Sequence, residues 1–209
     1  MLSPISEHFP CQNGYVILTD KQTKFPKYNS KEYFKLLLEA NTIYHKDVQV
    51  LTGHRTKSTT ALNNSTNDVI ELVNDPKQLV DQYFASALNF SQGKTGADNM
   101  NAPQSDVKAH FCLDMAYQGV YLSAIHHNRS QIYLTLVGGG AFGNPKEWIF
   151  DAIISAHHKW GVSGMTSLKK VTLVCWNVED IPNSAVEQMK QSGIPLVLQK
   201  KYIDFKGKK

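Results

Sequence analysis

The sequence predicts a layered α/β protein, and three observations carry that expectation. Strand-like and helix-like signals alternate along the chain. In the last third, two nearly all-apolar, strand-sized runs (131–137 and 171–176) flank an amphipathic helical stretch, the pattern of a right-handed parallel crossover with buried strands. Hydrophobic residues are 42% and charged residues 19% of the 209 residues, a globular composition at a length that suits one domain of ordinary size.

Taken in chain order, 15–18 and 48–52 are short β-prone runs. Between them, Ser30 stands as an N-cap before KEYFKLLLEANTIY, where Phe34, Leu37 and Leu38 recur at helical spacing. Residues 63–75, rich in Asn, Ser, Thr and Asp, read as a loop. Asp75-Pro76-Lys77-Gln78 has the form of a capping box with proline at the first helical position, and predicts a helix with Leu79, Val80, Tyr83, Phe84, Ala87 and Leu88 inward. A second polar loop, 91–105, leads to a helix over 106–127 that is apolar on two sides, at Phe111, Met115 and Leu122 and at Leu113, Tyr117 and Val120. The strand 131–137, the turn GGGAFGNP, a helix over 146–160 with Ile149, Ile153 and Trp160 on one face, and the strand 171–176 follow. Ser184-Ala185-Val186-Glu187 forms a further capping box, and its helix closes at Gly193 before a last strand, 195–199. The whole of 1–209 is expected to form one domain, with 1–30 a peripheral extension and 203–209 a basic tail.

Composition narrows the function classes. The net charge of +4 is small and concentrated in KKYIDFKGKK, so it leaves an anionic ligand open without indicating nucleic acid. No apolar run approaches bilayer length, and the first thirty residues lack a secretion signal, so the expectation is a cytoplasmic chain with no membrane partner. Cys11, Cys112 and Cys175 are odd in number, far apart and outside any CxxC spacing, which argues against a disulfide framework or zinc cluster and fits a reducing compartment. No metal is expected, and the chain is expected to be a monomer.

The chemistry gathers at one turn. Gly138, Gly139, Gly140, Ala141, Phe142 and Gly143 lie between a buried strand and a helix opened by Asn144 and Pro145. Such a turn admits positive φ and lets main-chain N–H groups approach a ligand, while the helix start adds unpaired donors and partial positive charge. That is a phosphate or diphosphate cradle; the alternative is a glycine connector required only by tight packing. Glu147, three residues after Asn144, completes that residue's cap, since a carboxylate facing a diphosphate would be repelled. The triphosphatase loop is excluded because no Lys-Ser or Lys-Thr follows Gly143. The dinucleotide fingerprint GxGxxG is matched by Gly138, Gly140 and Gly143, but its acidic partner is missing, because Glu179 and Asp180 come too late.

The run LDMAYQGVYLSAIHHNRSQIYLTLVGGGAFGNPKEWIFDAIISAHHKW, followed by VTLVCW, resembles the second half of a macrodomain: a helix beginning near an Ala-Tyr pair, a buried strand, a Gly-x-Phe-Gly-x-Pro turn, a helix and a strand. LTLVGGGAFGN with Trp148-Ile149 is similar to the divergent branch near the poly(ADP-ribose) glycohydrolases, which includes pathogen effectors. The resemblance implies a three-layer α/β/α fold with a mixed, largely parallel central sheet. It implies ADP-ribose, or an ADP-ribosylated protein, as the ligand, with no further cofactor and with the turn around the diphosphate and distal ribose. It also implies cytoplasm, or host cytosol for a secreted effector. Neither the Asn-rich first loop of macrodomains nor the glycohydrolase GGG with its Gln-Glu-Glu triplet is present; the nearest equivalents are the end of the run 48–52, at Thr52 with Gly53 and His54 after it, and the loop Asn74-Asp75-Pro76-Lys77-Gln78.

Hydrolysis of an ADP-ribosyl bond needs an oxocarbenium-like centre, an aimed water, and a carboxylate or the ligand's own phosphate to take the proton. Asp75 is the first candidate carboxylate, with helix capping as its alternative role; Asp68, Asp98 and Asp106 follow from polar loops. Phe142 is placed to pack on the ribose or adenine. His126-His127 and His157-His158 read as surface histidines near helix ends, and Cys112 and Cys175 as small buried hydrophobes. The expected activity is hydrolysis of ADP-ribosyl groups; a non-catalytic reader of ADP-ribose and, more remotely, a nucleotide-cofactor oxidoreductase are the alternatives.

Overall fold

The computed structural model describes residues 5–19, 24–49, 52–57, 68–73, 77, 79–91, 93–161, 167–175 and 177–193. In chain order its elements are β1 (Cys11–Gln12), β2 (Tyr15–Val16), α1 (Lys31–Leu38), β3 (Ile43–Gln49), β4 (Thr52–Lys57), β5 (Asp68–Val73), β6 (Leu79–Phe84), α2 (Lys94–Asn101), α3 (Ser105–His126), β7 (Gln131–Thr135), α4 (Lys146–Ala156), β8 (Lys170–Val174) and α5 (Asn183–Gln191). The architecture is mixed α/β. The described strands form four two-stranded ladders, β1 with β2, β3 with β6, β4 with β5, and β7 with β8, and no single sheet joins them. The chain divides into two compact units, one of Met1–Ile43 and Tyr83–Val197, the other of Tyr44–Gln82 and Leu198–Lys209. Among the described residues no helix is long and apolar enough to cross a membrane.

The larger unit contains the crossover that the last third of the sequence predicts. β7 and β8 pair in parallel, with Ile132 opposite Val171 and Leu134 opposite Leu173, and α4 lies between them in the chain. β7 alternates, with Ile132 and Leu134 buried and Tyr133 65% exposed, so only one of its faces enters the core, against the expectation of a strand buried on both. That inner face packs on α3 through Leu113, Tyr117 and Tyr121 and on α4 through Ile149, Ala152 and Ile153. α4 turns its other side, Phe150 and Ile154, to Ala185 and Met189 of α5, so it is apolar on two flanks. It passes into a π turn, His157–Gly161.

A second core is built by the N-terminal residues. Ile5, Phe9, Leu18 and Phe25 are buried together with Tyr33 of α1 and Phe111 of α3, and the rings of Phe25 and Phe111 meet edge to face at 5.4 Å. Gln104 fixes the backbone of Phe25 from both sides, its Oε1 accepting from the N–H and its Nε2 donating to the carbonyl, each at 2.8 Å. The described part of 1–30 is therefore core, not a peripheral extension. Four large apolar and aromatic side chains within those residues, Ile5, Phe9, Leu18 and Phe25, outweigh the Pro- and Lys-rich appearance of the segment.

Several predicted elements differ. Ser30 does cap α1, accepting from the Tyr33 N–H at 3.1 Å, but the helix stops at Leu38, which is 83% exposed, and 43–49 is strand. The helix expected after Asp75 is the strand β6, with Leu79, Val80 and Phe84 exposed. A run of aromatic and β-branched residues satisfies both helix and strand patterns, and pairing with β3 decides it. Residues 68–73, within the expected loop, pair antiparallel with β4. Residues 94–101, in the second expected loop, form α2, held by the fully buried Asn99, whose side chain bonds Leu18 N–H and the carbonyls of Val16 and Asn89. α5 begins at Asn183 with no side-chain cap, so Ser184 lies inside the helix and no capping box with Glu187 forms. The expected strand 195–199 and the tail 203–209 lie outside the described residues.

Candidate functional site

The glycine turn is framed by buried hydrogen bonds at both ends. At its entrance the hydroxyl of Tyr117, 1% exposed on α3, donates to the Thr135 carbonyl at 2.8 Å and accepts the Val137 N–H at 3.0 Å. At its exit the Asn144 N–H closes onto the Gly138 carbonyl at 2.9 Å. The Asn144 side chain, 4% exposed, donates to the Leu88 carbonyl at 2.7 Å. The segment 85–90 runs alongside, and its Phe90 N–H donates to the Phe142 carbonyl at 2.7 Å. Between these anchors, the N–H groups of Gly138, Gly140, Ala141 and Phe142 donate to no acceptor among the described residues, and no side chain caps the start of α4.

The glycines have different reasons. Gly138 has φ +77°, and a Cβ there would sit 2.5 Å from the Ala87 Cβ and 2.7 Å from the Asn144 Nδ2; Gly143 has φ +65°. Those two are required by the fold. A Cβ on Gly139 would point inward, 3.0 Å from the Ile149 Cδ1, whereas one on Gly140 would meet nothing within 4 Å, and Gly140 has no left-handed backbone. Nothing in the packing of the turn asks for glycine at Gly140.

Beside the turn lies a cavity of about 290 Å³, close to the smallest ligand pockets. Phe142 forms one wall and the hairpin of β1 and β2 another, through Gly14 and Tyr15. The Tyr15 and Phe142 ring centroids are 6.5 Å apart. The floor is apolar, including Phe111 and Met115, with Thr42, Ser86 and Asn89 as polar points. The hairpin has a local sequence signal: Asn13 and Gly14, both at positive φ, form the Asn-Gly dipeptide of a two-residue turn.

Electrostatics at the turn are carried by dipoles. Lys146, the first residue of α4, is engaged by Asp180, Nζ to Oδ1 at 2.7 Å, and that bond draws the Asp180 carboxyl below its usual range. Glu147 is exposed in the first turn of α4 and completes no cap, because Asn144 is held by Leu88 and Gly138 and the cap position falls to Pro145. An acid there is favourable to the helix dipole.

The remaining candidates are dispersed. Asp75 and Gln78 lie outside the described residues. Thr52 and Asp68 belong to the smaller unit, at opposite ends of the β4–β5 ladder, Thr52 opposite Val73 and Asp68 opposite Lys57, so the structure does not bring them together. Asp98 is exposed on α2, and Asp106 is a first-turn acid of α3. His126 and His127 lie at the end of α3, but His157 is not a surface histidine: its Nδ1 meets the Tyr121 hydroxyl at 2.9 Å, and burial lowers its pKa. Cys112 is buried, its thiol pushed up to about 12 by burial, while Cys175 is only half-buried; all three cysteines are free.

A second polar cluster lies one helical turn before Tyr117 on α3, at Asp114. The Tyr33 hydroxyl donates to Asp114 Oδ2 at 2.7 Å, and burial raises the Asp114 carboxyl against the opposing pull of that bond and of Lys159. Sequence reasoning singled out neither this pair nor the hydroxyl of Tyr117 nor Asn99. No known protein-family pattern matches the chain, and no curated protein matches it in sequence.

Proposed function

We propose that the chain binds ADP-ribose, free or attached to a protein, with the diphosphate against the turn 138–144 and the base side of the ligand toward Phe142. The observation that carries this reading is the turn itself: four unpaired N–H groups next to an uncapped helix start, with a glycine at Gly140 that no neighbour or backbone angle demands. The adjoining apolar cavity and the macrodomain resemblance support it, and the three-layer macrodomain fold belongs to the same reading. The free cysteines accord with a cytoplasmic site of action, or host cytosol for an effector, and we take the working form to be a monomer.

Binding is the part that the geometry supports. Hydrolysis of an ADP-ribosyl group requires in addition an acid or ligand phosphate beside the distal ribose. Asp75 is the residue proposed for it, ahead of Asp68. Calorimetric titration with ADP-ribose, NAD and AMP, followed by incubation with mono-ADP-ribosylated protein, separates the outcomes. Saturable binding of ADP-ribose supports the reading, and none at millimolar concentration overturns it. Release of ADP-ribose from Arg-, Glu- or Ser-linked substrates makes the chain a hydrolase; binding without release makes it a reader.

A further inference from the structure

We infer that Tyr117 is a positioning residue of the glycine turn: its buried hydroxyl sets the direction in which the N–H groups of 138–142 face a bound diphosphate. The inference rests on the ADP-ribose reading above. β7 ends at Thr135, whose ladder partner is Val174. Two residues later the chain must leave the strand direction and enter the turn. At that bend the Val137 N–H donates to the Thr135 carbonyl at 3.0 Å in a tight i+2 to i turn and shares the same proton with the Tyr117 hydroxyl. The Tyr117 hydroxyl serves both, donating to one at 2.8 Å and accepting from the other at 3.0 Å. One oxygen from α3 therefore holds the residue immediately before Gly138.

The hydroxyl is well placed to do this because its ring is buried, at 1% exposure. Tyr117 packs in the core with Leu134 of β7 and Ile149 of α4, the two elements that flank the turn. The entrance of the turn is thus referenced to α3, and its exit, through Asn144, to the Leu88 carbonyl. Donors held on such a frame lose little freedom when a ligand arrives, which is where a preorganised anion site gains its affinity.

Tyr121, one turn further along α3, supplies the control. It is as deeply buried, and its hydroxyl has a polar partner of its own, His157 Nδ1 at 2.9 Å, away from the turn. Tyr117→Phe and Tyr121→Phe each remove one buried hydroxyl and leave the ring. The test measures, for the wild-type chain and both variants, the melting temperature, the affinity for ADP-ribose by calorimetry, and the hydrogen exchange of the turn glycine amides by nuclear magnetic resonance without ligand. Both variants are expected to melt earlier. Tyr117→Phe alone should weaken ADP-ribose binding about tenfold and speed glycine exchange, while Tyr121→Phe stays within about twofold of wild type. Equal affinity of Tyr117→Phe and wild type, or equal losses in the two variants, overturns the positioning role and leaves the binding reading intact. A wild-type chain that binds no ADP-ribose overturns the binding reading, and this inference with it.

Discussion

Glutamate at Gly140 separates a ligand site from a packing turn, because the position is open on the protein side. A Cβ there meets no atom within 4 Å, and the backbone is not left-handed. The substitution should therefore change folding stability by no more than about 0.5 kcal/mol, the usual range for an unencumbered surface site. Its carboxylate would stand among the unpaired N–H groups where the diphosphate is proposed to lie. At about 5 Å, one carboxylate and one phosphate charge repel by about 1 kcal/mol in a water-like medium and about 3 kcal/mol at a protein-surface dielectric. Two phosphate charges double that, so ADP-ribose affinity should fall at least about twentyfold. Glutamate at Gly139 serves as the contrast. Its Cβ would press on Ile149 at 3.0 Å, so it should lose stability by about 1–3 kcal/mol as well as binding. Thermal melts and calorimetric titration of both variants decide the matter. A Gly140→Glu protein that melts like wild type and binds ADP-ribose equally well would refute the placement of the ligand.

Three further outcomes follow from the same geometry. Asn144→Ala removes a buried donor from the Leu88 carbonyl, so denaturant unfolding should show a loss of about 1–3 kcal/mol, and an unchanged midpoint would contradict the clamp. Because Lys146 is held by Asp180 and the proposed donors are uncharged, ADP-ribose affinity should fall less than about threefold on Lys146→Ala or between low and physiological salt; a steep salt dependence would point to lysine side chains instead. Burial raises the Asp114 carboxyl above its unfolded value, so the folded state holds the extra proton between the two values. Its contribution to stability is therefore fully present below the unfolded pKa and is lost as pH rises through the folded one. Asp114→Asn keeps an acceptor for Tyr33 and should flatten that part of the pH–stability curve measured by urea unfolding; the same slope in both proteins would assign it elsewhere.

How much of this was legible in sequence depends on how local each signal is. α3, β7, α4 and β8 were readable because each is a contiguous apolar pattern of one period, and the parallel crossover needs only their order. The N-cap of α1 was readable from Ser30 for the same reason. The span 75–88 was not, since its capping-box spelling and its aromatic, β-branched composition point to different structures; contact with β3, some forty residues earlier, selected the strand. The N-terminal aromatics offered no periodicity at all, and their burial depends on Tyr33 of the next helix and on Phe111, which lies far along the chain.

The sequence by itself determined that a glycine turn joins a strand to a helix and that such a turn exposes main-chain donors, because both follow from bonded neighbours and the absence of side chains. Only the tertiary structure decided what each residue of the turn is for. Gly138 is glycine because Ala87 and Asn144 crowd it, Gly139 faces Ile149, Gly140 faces open space, and Asn144 is turned toward Leu88. Tyr117 reaches the turn from a different helix. Those distinctions are set by atoms from segments distant in the chain, and the direction in which a side chain points from a turn is fixed by what packs behind it.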